Sequence, residues 1–151
     1  MKNHLNRVFI YSTAAFLLLT AVAKLYSATG TARILTATDP LFHVANRQVM
    51  LGAGLMEVVI ALYLLMGRNV VPQIHLIFWL SSNFILYRFG LHYIHYKACP
   101  CLGTLGAKLP LTPESVNRIL EFLVLYWFLV SACLVWQYWN REEPSPALTP
   151  T

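Results

Sequence analysis

RQVMLGAGLMEVVIALYLLM, residues 47–66, decides the fold of this chain. Beyond Arg47 it carries one charged side chain, Glu57, and no proline. A helix needs about 20 mostly apolar residues to cross a bilayer, and this stretch has that length. Ala53, Gly54 and Ala61 share the face of Glu57 at helical spacing, so a second helix can approach closely there.

Three more segments, about 8–26, 70–96 and 114–139, have the same character. Interface aromatics bracket several of them: Tyr11 and Tyr26 on the first, Tyr93 and Tyr96 on the third, Trp136, Tyr138 and Trp139 on the fourth. Pro72 falls at the start of the third, where a missing N–H costs little. Thr112-Pro113-Glu114 reads as N-cap, first-turn proline and first-turn acid of the fourth. Of the 151 residues, 58% are hydrophobic and 11% charged, roughly half the ~25% charged of soluble domains. The expected fold is all-α: an integral membrane four-helix bundle formed by residues 1–140, with short extracytoplasmic loops and a disordered tail over 141–151. Lys2, Arg7, the apolar stretch and Ala21-Val22-Ala23 also resemble a secretory signal peptide. The polar residues of this first segment continue a pattern seen on the other three, which favours a retained spanning helix.

The net charge of +5 comes from scattered Lys and Arg, with no basic run and no Gly-rich phosphate loop. Nucleic-acid binding is therefore unsupported, and lipid headgroups are the expected contacts of these charges. They do not orient the chain. With the N-terminus inside, Lys2, Arg7, Arg68 and Arg141 face the cytoplasm, against Arg33, Lys97 and Lys108 outside, close to a tie.

Cys99-Pro100-Cys101, followed by Leu102-Gly103, lies between the third and fourth segments. Two thiols one residue apart close a disulfide only through a small ring, and strained bridges of this kind are labile and exchange readily. Pro100 fixes one backbone angle and limits how far the sulfurs drift apart. A working disulfide belongs in an oxidising compartment. That places the cysteine loop on the extracytoplasmic side of an inner (cytoplasmic) membrane, with both termini inside. Lys97 and a protonated His95 would favour the thiolate.

Charges within spans are expensive and usually face the bundle interior. Glu57 lies ten residues into its span and calls for a basic partner, with Lys24 or Arg88 the expected one. Arg88 shares a stripe with Ser81, His92 and His95, while Arg118 and Glu121 share a face of the fourth span. All these groups fall at mid-membrane or in the outer half, under the cysteine loop. The inner half is almost purely apolar, His75 being the main exception. Lys24, Glu57, Arg88, His92 and Arg118 are thus the candidate lining of a polar pocket open to one side. Snorkelling is an equal explanation for Lys24 and Arg118, near helix ends.

His92, His95, Cys99 and Cys101 also suggest a metal site. One residue between the cysteines is tight for a shared tetrahedral ion, so no metal is expected. His43 and His75 read as structural, and Cys133, amid Leu and Val, as a buried packing residue.

In order and spacing, several motifs resemble the MauE and DoxX-like membrane proteins. They are Ala23-Lys24-Leu25, Asp39-Pro40-Leu41-Phe42, Asn46-Arg47, Gly54-Leu55-Met56-Glu57 and Cys99-Pro100-Cys101-Leu102-Gly103. That family's cysteine segment typically has phenylalanine where Leu102 stands. The resemblance implies a small four-helix protein tied to disulfide formation or to maturation of periplasmic redox enzymes, beside a thioredoxin-like partner. One expectation is a thiol–disulfide oxidoreductase in which Cys99 and Cys101 exchange with that partner and pass electrons to a quinone. Its ring would sit in a cavity lined by Arg88, His92 and the outer part of the fourth span. DsbB-like and vitamin K epoxide reductase-like enzymes supply the chemical analogy. They carry a second cysteine pair that this chain lacks, so the partner would have to provide it. The other expectation is a non-enzymatic accessory subunit of a periplasmic redox enzyme, with the cysteines as a docking clip.

Overall fold

The computed structural model describes residues 2–30, 33–94 and 113–142. Cys99, Cys101, His95 and Lys97 lie outside the described residues. Within them the chain forms α1 (Lys2–Ala28), the single turn α2 (Arg33–Thr36), α3 (Asn46–Met66), α4 (Val70–Tyr93) and α5 (Pro113–Glu142). Four of these helices are long and apolar enough to cross a membrane. The 21 residues of α3 span about 31 Å at 1.5 Å per residue, matching a hydrocarbon core of about 30 Å. The chain is an all-α four-helix bundle read as a multi-pass membrane protein in contact with lipid.

The helix ends differ from the sequence reading. The first helix begins at Lys2 rather than near residue 8, and the third ends at Tyr93 rather than 96. The fourth long helix runs through Arg141 and Glu142, two residues into the segment assigned to the tail. Pro113 is its first residue, the position where a ring-locked φ and a missing N–H cost nothing.

The helices pack as two pairs, α1 with α3 and α4 with α5. On α1 the buried residues Asn6, Ile10, Thr13, Ala14, Leu17, Ala21 and Ala28 trace one stripe, while Leu5, Leu19, Val22 and Tyr26 point outward. A helix apolar on every face suits a lipid surround. Gly54 brings α3 against α1, and a Cβ there would sit 3.1 Å from Leu25. Stacked Phe78 and Phe128 rings, 5.3 Å apart, join α4 to α5. The pairs meet around a core of Ile10, Leu17, Leu64, Ile77, Leu80 and Trp127. Edge-to-face contacts of Phe9 with Tyr126 and Phe16 with Trp127 tie α1 to α5. Direct contact between α3 and α4 is sparse.

Each end of the α3–α4 seam has its own fastener. At one end Gly67 accepts the turn between the helices. The Gln73 side-chain amide donates to the Leu64 and Gly67 carbonyls at 2.8 and 3.1 Å, satisfying acceptors that a helix C-terminus leaves open. A Cβ on Gly67 would fall 2.6 Å from that amide nitrogen. At the other end residues 37–46 form a strap closed by a Thr38–Ala45 bridge. His43, with φ 57°, makes its left-handed corner.

Candidate functional site

Lys24 sits one turn before the end of α1, and Glu57 at the middle of α3. With α1 and α3 antiparallel and in close contact at Gly54, their side chains meet, and Lys24 Nζ donates to Glu57 Oε1. The Thr20 hydroxyl lies 3.2 Å from Glu57 Oε2 and 3.0 Å from its own helix's Leu17 carbonyl. The Lys24 ammonium also stands 5.3 Å from the centre of the Phe84 ring, a cation–π contact from α4. Glu57 is 1% exposed. An isolated carboxylate at such depth would be strongly disfavoured, and the ammonium cancels its charge.

Arg88, the other basic partner expected for Glu57, reaches instead to α5, where its guanidinium lies 3.8 Å from Glu121. His92 is exposed near the end of α4, and Arg118 is exposed on α5. The structure therefore joins Lys24 and Glu57 directly, sets Arg88 on a shared small cleft with them, and leaves His92 and Arg118 outside.

Two clefts flank the Lys24–Phe84 contact. The smaller, about 50 Å³, lies among α1, α4 and α5 and is reached by Lys24, Glu57 and Arg88. That is far below the roughly 300–1,000 Å³ of ordinary ligand pockets. Arg88 and, from the outer part of α5, Leu120, Leu123 and Val124 line this small cleft, whereas His92 does not. The larger cleft, about 240 Å³, lies between α3 and α4. One wall is Val49, Met50, Ala53 and Met56 of α3; the other is Trp79, Asn83, Phe84 and Tyr87 of α4. Lys24 closes its floor and Phe42 of the strap forms part of its rim.

The strap is held by Asp39, a residue the sequence reading used only as a family motif. Its Oδ1 accepts the backbone N–H groups of Leu41 and Phe42, both at 2.9 Å, making an Asx turn. Its Oδ2 accepts the Tyr87 hydroxyl at 2.6 Å. Phe42 stacks on the Tyr87 ring at 5.7 Å, and Leu41 packs against Gly90, where a Cβ would come within 3.0 Å. The local signal was present: Asp-Pro after a polar run favours a turn that the carboxylate itself braces.

Two further readings need correction. Cys133 is exposed on α5 rather than buried, because α5 presents apolar residues on all sides and most of its apolar stretch stays uncovered. The half of the bundle at the Gly67 turn also holds more polar groups than His75. Gln73 is buried in the turn, and buried Asn6 donates to the Tyr138 hydroxyl at 3.1 Å. Among the described residues no group of three His, Cys, Asp or Glu side chains is placed to hold a metal ion. Comparison with protein-family models, curated proteins and solved structures finds no match.

Proposed function

We propose that this multi-pass membrane protein exchanges disulfides through Cys99 and Cys101 with a thioredoxin-like partner on the extracytoplasmic side of the cytoplasmic membrane. The observation that carries the reading is sidedness. The Lys24–Glu57 and Arg88–Glu121 pairs and the Asp39–Tyr87 strap all gather in the half of the bundle from which residues 95–112 leave α4 and return to α5. A polar zone at the bundle end where α4 stops and α5 starts, the two helices between which Cys99-Pro100-Cys101 falls in the sequence, suits a redox site at a membrane surface, and the MauE and DoxX-like motifs agree with it.

A partner dithiol attacks the Cys99–Cys101 disulfide through a mixed disulfide, leaves oxidised, and leaves both thiols of this chain reduced. Two electrons and two protons then pass to a bilayer-dissolved quinone, which becomes the quinol, and the Cys99–Cys101 disulfide re-forms. In Cys99→Ser or Cys101→Ser the remaining thiol can only attack the disulfide of an oxidised partner, expelling one partner thiol. With no second thiol in this pair to release the partner, the mixed disulfide should accumulate and trap it covalently. Partner oxidation should cease in the double variant while partner binding persists. Absence of any mixed disulfide, with partner oxidation intact in the double variant, overturns the redox reading in favour of an accessory subunit.

A further inference from the structure

We infer that the cleft between α3 and α4 is a binding site for the flat, uncharged headgroup of a membrane-dissolved ring compound bearing a carbonyl oxygen, a quinone in class. Only the ring's role as electron acceptor rests on the proposed redox function; the site rests on the chemistry of its walls.

Three features of the cleft select this ligand. Aromatic rings from Phe42, Trp79, Phe84 and Tyr87 line it, facing the thioethers of Met50 and Met56 across the gap. Aromatic and polarisable sulfur surfaces gain most from a planar conjugated ring. Ala53 is the small residue that gives the α3 wall its depth.

The floor supplies the second feature. Lys24 gives one N–H to Glu57, and an ammonium has three, so a donor remains for an acceptor oxygen. Asn83 adds an amide whose nitrogen is engaged with the Trp79 carbonyl at 2.7 Å. Lys24 and Glu57 together carry no net charge. A phosphate or carboxylate headgroup would meet an ammonium already neutralised, whereas a neutral carbonyl loses nothing.

The third feature is access. Trp79, midway along α4, is more than half exposed, so the mouth opens laterally, where lipid lies. At about 240 Å³, just below the range of pockets that take a whole ligand, the cleft has room for the headgroup ring alone and leaves an isoprenoid tail outside in the hydrocarbon.

The full chain in nanodiscs of phosphatidylethanolamine and phosphatidylglycerol can be titrated with a decyl-tailed benzoquinone while tryptophan fluorescence is recorded. Saturable quenching should appear, should vanish in Trp79→Phe, and should need at least tenfold more quinone in Ala53→Leu, which fills the cleft. Oleate at equal concentration should not displace the ring. No saturable quenching, quenching that survives Trp79→Phe, unchanged affinity in Ala53→Leu, or displacement by oleate overturns the site. Should Ala53→Leu lose its helical circular dichroism, a photoreactive quinone on the unaltered chain decides. Labels within 49–56 and 79–87 support the site, and labels confined to other segments overturn it. Alkylation of Cys99 and Cys101 after quinone addition separates this inference from the redox reading. Binding without thiol oxidation keeps the site and sinks the function. Thiol oxidation undiminished in a folded Ala53→Leu sinks the site and keeps the function.

Discussion

At the scale of single residues, the Lys24–Glu57 pair sets the largest energies. Removing one partner of a buried ion pair leaves an uncompensated charge and typically costs about 3–5 kcal/mol. Lys24→Met should therefore destabilise the detergent-solubilised protein by about that much in a thermal or denaturant melt. The double variant Lys24→Met/Glu57→Met should recover most of the loss, because two apolar side chains need no compensation. Equal destabilisation of single and double variants would show that packing, not charge, is at stake. Tyr87→Phe isolates a second interaction. It deletes the hydroxyl that Asp39 accepts but keeps the ring that Phe42 stacks upon. A loss of about 2 kcal/mol is expected for a hydrogen bond to a carboxylate. It should appear as faster hydrogen exchange at Leu41 and Phe42, with little change in α1. That Glu57 needed a basic partner was legible from one carboxylate amid apolar neighbours. Which partner it takes was not, because Lys24 and Arg88 both lie within a side chain's reach and only the rotation of each helix decides.

At the scale of elements, the close approach of α1 and α3 depends on the missing side chain at Gly54. Gly54→Leu should force α1 away from α3, at a cost of about 1–3 kcal/mol for overpacking. It should also weaken the Lys24–Glu57 contact, a coupling that double-mutant cycles with Glu57→Gln would reveal. Gly54→Ala should be mild, since the nearest atoms belong to the flexible Leu25 side chain. The four long helices were readable from length and apolarity because a bilayer imposes both. Their packing faces were not, because core-facing and lipid-facing positions are alike apolar and leave little periodicity. Cys133 illustrates the loss: amid Leu and Val it reads as core, yet it lies on the outward side of α5. The Asp39 strap was hidden for another reason, since its partner Tyr87 stands 48 residues away.

Across the whole molecule, two helix pairs that meet around a shared core, with only a thin seam between α3 and α4, expose much apolar surface to lipid. In intact membranes, Cys133 in a Cys99→Ser/Cys101→Ser background should resist a charged, membrane-impermeant maleimide and react only after denaturation in detergent. Rapid labelling without detergent would place that side of α5 in water. The larger cleft was not foreseen because it follows from how the pairs splay, a property of tertiary packing that no local motif encodes. The Asp39–Tyr87 contact also has a consequence for biosynthesis. Lys24 and Glu57 both belong to the first helical pair, so both members of its ion pair are made before α4. Its strap, however, still lacks the hydroxyl it will clasp. Only when α4 has been made and inserted does that hydroxyl arrive, so docking of the second pair onto the first is the event that finishes the strap.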